Sequence, residues 1–137
     1  MINGFKYQFI NGLKTGPFEE RLANGRVSIK GSFEKGKKNG EWFFYNDAGF
    51  VDKQINYHKD SLDGEYLVFF PDGRINTSGN YLMGKKTGLW MWNLPNKIGT
   101  EMKGTFVNDL QDGKWEYYFS TGELSYLANY KQGLRNG

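Results

Sequence analysis

The chain has 137 residues, a formal net charge of +3 and no cysteine. A chain of this length suits one domain or one continuous array of repeats, and the absence of cysteine excludes disulfides and thiolate metal sites. The charge is too small for a dedicated nucleic-acid or membrane-surface binder, whereas 18% aromatic residues are more than a disordered polar segment carries.

From the first residues onward, three series of residues recur at intervals of 24 or 25 positions. We call the first series the repeat glycines; the second stands two places after each of the first five, and the third stands seven places before each of the six. The three series are Gly16, Gly40, Gly64, Gly88, Gly113 and Gly137; Phe18, Trp42, Tyr66, Trp90 and Trp115; and Phe9, Phe33, Tyr57, Tyr81, Phe106 and Tyr130. Such a period is typical of small stacked units that do not fold alone, and it points to a binding or scaffolding role.

Each unit reads as one β-hairpin. In the unit that starts at Gly64, residues 65–70 favour a strand, 71–73 form a turn, and 74–81 alternate between apolar and polar side chains. The sequence therefore predicts an all-β fold, an elongated single-layer antiparallel meander of about five 24-residue hairpins. The predicted boundaries are a partial unit 1–15 and units 16–39, 40–63, 64–87, 88–112 and 113–136, with Gly137 opening a further unit.

One stretch interrupts the pattern. Residues 93–99 make a longer turn, and Pro95 is expected in a loop because proline cannot donate to a strand ladder. The chain starts inside a unit and stops on a repeat glycine, so further sequence on either side is compatible with the pattern.

The run from Gly40-Glu-Trp-Phe-Phe-Tyr45 through Gly49 and Tyr57 to Gly64 resembles the MORN (membrane occupation and recognition nexus) repeat. It is more similar to the bacterial variant in the YwqK family, whose proposed role is that of an antitoxin. The resemblance implies a twisted sheet of hairpins that binds proteins and, in some relatives, lipids. The sequence departs from this pattern at Asp60 and Asp109, where other units carry a loop glycine: Gly12, Gly36, Gly84 and Gly133.

The residue types needed for catalysis do not converge in this sequence. His58 is the sole histidine, and no cysteine could share a metal with it, so a solvated loop position is the expected role. Carboxylates such as Asp60 and Asp109 recur with the repeat, which is typical of turn formers. The glycine pairs precede strands rather than helices, so a phosphate-binding loop is not predicted. We predict no catalytic residue, no metal site and no cofactor.

Charged residues concentrate in the loops before the repeat glycines. If these loops share one rim, basic and acidic loops alternate at roughly 10 Å, about one Debye length, and largely neutralise each other. This argues against a strip that binds phospholipid or nucleic acid. The basic loops carry Lys35, Lys37 and Lys38, then Lys85 and Lys86, then Lys131 and Arg135, and the acidic loops carry Asp60 and Asp63 with Lys59, then Asp109 and Asp112.

The first strand of each unit is aromatic on both faces, which leaves two interpretations open. In one, the aromatics that follow the repeat glycines join hairpin to hairpin. In the other, they line a groove for an extended peptide or a helix, since tryptophan and tyrosine dominate protein interfaces. The candidate partner-binding residues are Trp42, Phe44, Tyr66, Phe70, Trp90, Trp92, Trp115 and Tyr117.

We therefore expect a non-enzymatic module of bacterial type that binds a protein or peptide, antitoxin-like by resemblance. The alternatives are a scaffold that self-assembles through its sheet edges and a module that binds lipid or wall polymer at the cell envelope. No apolar stretch approaches the ~20 residues that span a bilayer. The chain is expected to be soluble, with the cytoplasm slightly favoured, although a signal peptide removed beforehand would leave no trace here.

Overall fold

The computed structural model describes residues 2–96 and 99–136. The predicted role of Gly137 and the 97–98 part of the predicted long turn lie outside these residues. The strands are β1 (Ile2–Ile10), β2 (Leu13–Leu22), β3 (Val27–Glu34), β4 (Lys37–Lys38), β5 (Gly40–Tyr45), β6 (Val51–His58), β7 (Ser61–Phe69), β8 (Ile75–Leu82), β9 (Lys85–Asn93), β10 (Thr100–Val107), β11 (Leu110–Tyr118), β12 (Leu124–Lys131) and β13 (Leu134–Arg135).

All 13 strands belong to one antiparallel sheet, in which each strand except the short β4 pairs with the strands that precede and follow it, and β3 pairs directly with β5. The short β4 pairs with β3 beside β5, and the sheet does not close into a barrel. The predicted all-β meander of hairpins is thus confirmed. No helix occurs among the described residues, so none there is long and apolar enough to cross a membrane. Pro95 lies between β9 and β10, as expected for a loop residue.

Two kinds of turn alternate along the chain. Within the hairpins β2–β3, β5–β6, β7–β8 and β11–β12, the turn closes on a glycine of positive φ; in the β7–β8 turn the Gly73 N–H donates to the Phe70 carbonyl at 2.9 Å. Between hairpins, two consecutive residues have positive φ, as in a type I′ turn. At one of these turns the pair is Lys59 and Asp60, with φ of 48° and 70°. Asparagine and aspartate tolerate this region better than most residues, which explains how an aspartate replaces the glycine.

The repeat glycines occupy bulges between successive hairpins. Between β8 and β9, Ser78 pairs with Met91 but Asn80 pairs with Thr87, so Gly79 alone faces residues 88–90. The bulge bends the backbone at Gly88, whose φ is +69°, a value that favours glycine. The spacing of the repeat glycines in the sequence is therefore the spacing of these bulges.

The core lies on one face of the sheet, which we call the aromatic face. Cross-strand pairing places the buried apolar side chains on this side, whereas their neighbours in sequence point to the other, opposite face. The buried apolar residues are Phe18, Trp42, Ile55, Trp90, Phe106, Trp115 and Ala128. Because the described chain forms a single sheet, the core is made by side chains of neighbouring hairpins packing over each other.

Candidate binding face

Five aromatic side chains, one per hairpin, run along the aromatic face. We call them the ladder aromatics. Each lies directly opposite a residue on the second strand of its own hairpin, which we call a floor residue. The pairs of ladder aromatic and floor residue are Phe18 with Gly31, Trp42 with Ile55, Tyr66 with Gly79, Trp90 with Gly104, and Trp115 with Ala128.

Four of the floor residues, Gly31, Ile55, Gly79 and Gly104, also contact or pair with the ladder aromatic of the following hairpin. A Cβ atom added to Gly79 would lie 2.1 Å from Cδ2 of Trp90, far inside the ordinary contact distance between carbon atoms. The corresponding distance is 2.2 Å between Gly31 and Trp42 and 2.0 Å between Gly104 and Trp115. The indole rings thus lie flat on the backbone of glycines that cannot be replaced without displacing them.

A hydrogen bond fixes each of these indole rings. The Trp90 Nε1–H donates to the carbonyl oxygen of Asn80, the residue after the floor glycine, at 3.1 Å. Trp42 and Trp115 make the same bond to Ser32 and Thr105, also at 3.1 Å. A buried indole N–H needs such a partner, and the bulge leaves this carbonyl oxygen within its reach.

The floor residues were not predicted as a series from the sequence. Their spacing was visible in the sequence, because positions 31, 55, 79, 104 and 128 recur at intervals of 24 or 25 residues. Three glycines, one isoleucine and one alanine do not share a chemical type, so their common role became visible only from the contact with the next ring.

Ring contacts join ladder aromatics of neighbouring hairpins in two groups, one from Phe18 to Trp42 and one from Tyr66 to Trp115. The Trp90 ring lies tilted against Tyr66 with centroids 5.7 Å apart, and edge-on to Tyr81 at 5.2 Å and Phe106 at 6.0 Å. Each such pair adds about 0.5–1.5 kcal/mol beyond its buried area. Trp42, Trp90 and Trp115 are only 1–2% exposed. These three candidate residues therefore join the hairpins and offer little surface to a partner, while Tyr66 is half-buried.

A second row of side chains lies beside the ladder and is more accessible. We call it the outer row: one residue per hairpin, four places after the repeat glycine, with the residues paired to it. From β2 to β12 the outer row is Glu20, which is buried, followed by Ile29, Phe44, Lys53, Val68, Thr77, Trp92, Met102, Tyr117 and Tyr126.

The structure brings three of the candidate residues together in the outer row, namely Phe44, Trp92 and Tyr117, all half-buried. Phe70 lies apart from them, in the turn after β7, where the Arg74 guanidinium sits 5.1 Å from its ring centroid. The outer-row residue of this hairpin is Val68, which stands four places after Gly64, whereas Phe70 stands six places after it and beyond the end of β7 at Phe69.

Three tyrosines close the aromatic face at β11 and β12. Tyr117 and Tyr126 stack with ring centroids 4.4 Å apart, and the hydroxyl oxygens of Tyr117 and Tyr130 are 3.2 Å apart. Burial, and then the bond to Tyr130, raise the pKa of Tyr117 to about 12. This hydroxyl consequently stays protonated at physiological pH and acts as a hydrogen-bonding group.

The turns between hairpins lie side by side, as the rim interpretation supposed. The Asp60 N–H donates to the carbonyl oxygen of Lys38 in the preceding hairpin at 3.0 Å, and the Asp60 carboxylate accepts the Lys38 N–H at 2.7 Å. The Lys38 ammonium itself lies over the rings of Trp42 and Tyr57, 5.3 and 5.0 Å from their centroids. Lysine and aspartate thus come together at this rim, and the lysine also covers one end of the ladder.

The opposite face has a different character. Its central row alternates apolar Phe43, Leu67 and Met91 with polar Gln54 and Ser78. At the end of this row Glu116 contacts the ammonium groups of Lys103 and Lys114, each at 3.3 Å, and accepts a bond from the Tyr118 hydroxyl, which lowers the pKa of the carboxyl. The face is therefore mixed, and the buried tryptophans Trp42, Trp90 and Trp115 lie on the other side.

No cluster of three or more metal-ligating side chains occurs among the described residues, and His58 is exposed at the end of β6. A scan against protein-family models and a search of curated proteins both found no match to this chain.

Proposed function

We propose that this chain is a non-enzymatic binding module whose aromatic face receives a segment of another protein. The observation that carries the proposal is the outer row, in which Phe44, Trp92 and Tyr117 are half-buried and Tyr126 is exposed. The described chain has no second layer to cover them. Tyrosine and tryptophan supply much of the binding energy in protein interfaces, and a rigid sheet holds them without further loss of conformational entropy on binding.

In this proposal the ladder aromatics stabilise the fold and the outer row binds the partner. The ladder aromatics are committed to contacts between hairpins, so removing one would destabilise the fold and would not test binding. The outer row lies above the same backbone but keeps part of each ring accessible. A substitution there removes binding surface at a smaller cost in stability.

Phe44 and Phe43 provide a matched pair of variants. They are neighbours on β5, are both half-buried, and point to opposite faces, with Phe44 opposite Lys53 and Phe43 opposite Gln54. Phe44→Ala removes a ring from the outer row, whereas Phe43→Ala removes the same group from the opposite face. Affinity capture from the native lysate, after both variants are shown to be folded by circular dichroism, compares the two faces directly.

We expect the wild type and Phe43→Ala to capture the same partner and Phe44→Ala to lose it. Purified partner would then bind the wild type at least about tenfold more tightly than Phe44→Ala, since burial of an aromatic side chain contributes about 1.5–3 kcal/mol. Equal binding by the two variants, or loss in Phe43→Ala alone, would contradict the assignment to the aromatic face.

The resemblance to the YwqK type supports a narrower version, in which the partner is a toxin. Co-expression with the product of a neighbouring gene tests it. Rescue of growth by the wild type and not by Phe44→Ala would favour an antitoxin acting through this face, and failure of every neighbouring product to impair growth would argue against it.

A second candidate function is self-assembly. Within residues 2–96 and 99–136 the sheet is open and its end strands have backbone groups without a strand partner, and such edges promote association. Molecular mass measured by light scattering over a range of concentrations tests this function. A mass that rises with concentration would favour the scaffold, and a constant monomer mass would exclude it.

A further inference from the structure

One position of the outer row departs from the repeat. The residue four places after the repeat glycine is apolar or aromatic in the later hairpins, namely Phe44, Val68, Trp92 and Tyr117, but it is Glu20 in the first. Glu20 keeps the register of the row, since it lies opposite Ile29, which in turn lies opposite Phe44. A carboxylate thus stands where the other hairpins place a ring or a branched apolar side chain.

Glu20 is buried although it carries a carboxylate. It is 8% exposed, and in the part of the chain that the structure describes it is the one charged residue that is buried. Its main-chain carbonyl accepts a bond from the Ser28 hydroxyl at 3.1 Å, but no described side chain gives the carboxylate a hydrogen bond or a cation. Enclosing a carboxylate without such a partner costs free energy, so the fold alone gains nothing from this choice of residue.

The oxygens of this carboxylate nevertheless reach the surface. Among the described side chains, no oxygen is both fully enclosed and without a hydrogen-bond partner. Because the Glu20 carboxylate has no partner there, the exposed part of the residue includes its oxygens. The stem of Glu20 is therefore covered, and its carboxylate opens on the aromatic face beside Ile29.

The nearest charged side chains do not compensate Glu20. Its neighbours in sequence, Glu19 and Arg21, lie on the opposite face and form an ion pair with each other at 2.9 Å. The other charged member of the outer row is Lys53, three strands away. Three strand spacings are roughly 14 Å, more than one Debye length at physiological salt. The aromatic face therefore presents an uncompensated negative charge at Glu20, which is complementary to a cation.

The surroundings of Glu20 favour arginine among the possible cations. A metal ion needs several ligands, and the described residues contain no group of three side chains that could hold one. A guanidinium binds a carboxylate through two parallel hydrogen bonds and packs its flat face on aromatic rings. Ile29 and Phe44, both half-buried, follow Glu20 in the outer row and can receive the aliphatic stem of such a side chain.

We propose that Glu20 binds an arginine side chain of the protein segment that the aromatic face receives. The segment itself rests on the function proposed above, whereas the arginine subsite is defined by the uncompensated carboxylate and the apolar side chains next to it. The arginine lies at the β2 end of the outer row, with its stem on Ile29 and its guanidinium on the carboxylate. Lys53 repels a second basic residue further along the row, so the basic residue of the partner is fixed at this end.

Small probes test the subsite on the whole isotope-labelled chain without the partner. N-acetyl-arginine amide is titrated, and the NMR shifts of the Glu20 carboxyl carbon and of the amides in β2 and β3 report its site and affinity. N-acetyl-citrulline amide has the same shape without the charge and is expected to bind about tenfold more weakly. N-acetyl-lysine amide should also bind more weakly than the arginine probe, because an ammonium cannot make the two parallel bonds.

Two variants with the same substitution make the test specific. Glu20→Gln removes the charge and keeps the shape, so the arginine and citrulline probes should bind it equally. Glu19→Gln changes the neighbouring residue on the opposite face and should keep the preference of about tenfold. Should Glu20→Gln fail to fold, the three probes on the wild type decide alone. Equal binding of the arginine probe and either other probe to the wild type, shifts away from Glu20, or loss of the preference in Glu19→Gln would overturn the proposal.

Failure of this inference is distinguishable from failure of the proposed function. Glu20→Gln should weaken the binding of a purified partner about tenfold, and Glu19→Gln should leave it unchanged. A partner that needs Phe44 but binds Glu20→Gln as tightly as the wild type would overturn the arginine contact and support the binding face. An arginine probe that binds at Glu20, when no partner depends on Phe44, would support the subsite and overturn the function.

Discussion

The junction between β8 and β9 and the junction between β6 and β7 fill the same space with different pairs of side chains. In the first, Trp90 lies flat on Gly79, and in the second, Tyr66 lies opposite Ile55. The large indole ring of Trp90 is combined with a floor residue that has no side chain. The smaller ring of Tyr66 is combined with a floor residue that has a branched side chain. The other two tryptophan junctions repeat the first combination, with Trp42 on Gly31 and Trp115 on Gly104.

This contrast shows that the pair, and not the single residue, is the unit of packing between hairpins. Protein interiors are close-packed, so a change in volume on one side needs an opposite change on the other. The polar bonds change together with the volumes. The Trp90 indole donates to the Asn80 carbonyl oxygen, whereas at the tyrosine junction the Asn56 amide donates to the Glu65 carbonyl oxygen.

The largest expected effect comes from converting the tyrosine junction into a tryptophan junction in two steps. Ile55→Gly should lower the free energy of unfolding by about 4 kcal/mol, because it leaves a cavity and adds a flexible residue to β6. Tyr66→Trp alone should cost about 2 kcal/mol by overpacking against Ile55. In the double variant the two changes compensate, and we expect a coupling energy of about 2 kcal/mol from a double-mutant cycle in urea.

Strict additivity in this cycle would contradict the paired-volume account. It would mean that Ile55 and Tyr66 are matched to the rest of the aromatic face separately. The control is the same cycle with Leu67, which follows Tyr66 but lies on the opposite face opposite Gln54. Ile55→Gly combined with Leu67→Ala should be additive within about 0.5 kcal/mol.

The reverse experiment breaks a tryptophan junction. Gly79→Ala introduces a Cβ atom 2.1 Å from the Trp90 ring, and Trp90 is held by its bond to Asn80 and by buried neighbours. We expect a loss of about 3 kcal/mol in the free energy of unfolding, measured by urea denaturation with tryptophan fluorescence. The neighbouring variant Ser78→Ala lies on the opposite face and should change stability by less than about 1 kcal/mol. An equal loss in both variants would count against steric contact as the cause.

The sequence predicted the strands and turns well because the repeat carries them redundantly. The repeat glycines, the glycines of the turns within hairpins and the alternation in β8 each indicate the hairpin independently, and all three predict the same strands and turns. Even Asp60, a departure from the pattern, adopts the glycine-like φ of its turn. Local backbone requirements of this kind depend on single residues, so they can be predicted without knowing which side chains pack against them.

The arrangement of the candidate site was harder to predict, because it depends on contacts between hairpins. Trp90 and Trp92 share a strand face and similar chemistry, yet one is buried and the other half-buried. The difference arises because Trp90 lies over Gly79 of the preceding hairpin, while Trp92 pairs with Thr77. Phe70 shows the same limit, since whether it belonged to the strand or the turn depended on where β7 ends.

A moderate loss of stability is expected from substitutions in the turns at the rim. It tests whether these turns contribute to the difference between the tyrosine junction and the tryptophan junctions. Asp60 lies above the tyrosine junction and Asp109 above a tryptophan junction, and each carboxylate accepts a backbone N–H at 2.7 Å. Replacing either aspartate by alanine removes this bond and leaves a positive φ, which should cost about 1.5 kcal/mol in each case. Thermal unfolding measures both. A clearly larger loss for Asp60→Ala would show that the turn, as well as the floor residue, sets the tyrosine junction apart.

The smallest expected effect concerns the last described hairpin, β11–β12, where the Tyr117 hydroxyl lies 3.2 Å from that of Tyr130. The pKa of Tyr117 rises from 10.0 to about 12, first through burial and then through this bond. A raised pKa in the folded state means that its stabilising contribution is complete below about pH 10 and is lost as the pH rises through about 12. Tyr117→Phe should therefore cost about 1 kcal/mol at pH 8, and its difference from the wild type should shrink between pH 10 and 12.

Urea unfolding of both proteins at each pH, with tyrosinate absorbance as the record of ionisation, checks this prediction. The comparison with the variant matters because burial also raises the pKa of Tyr57 and Tyr81, so the wild type loses stability in alkali through several tyrosines at once. Only the pH-dependent difference isolates Tyr117. A constant difference would show that its hydroxyl ionises equally in the folded and unfolded chains. The outer row would then be more open to water at β11 than its ring contacts indicate, which would enlarge the surface that it can offer to a partner.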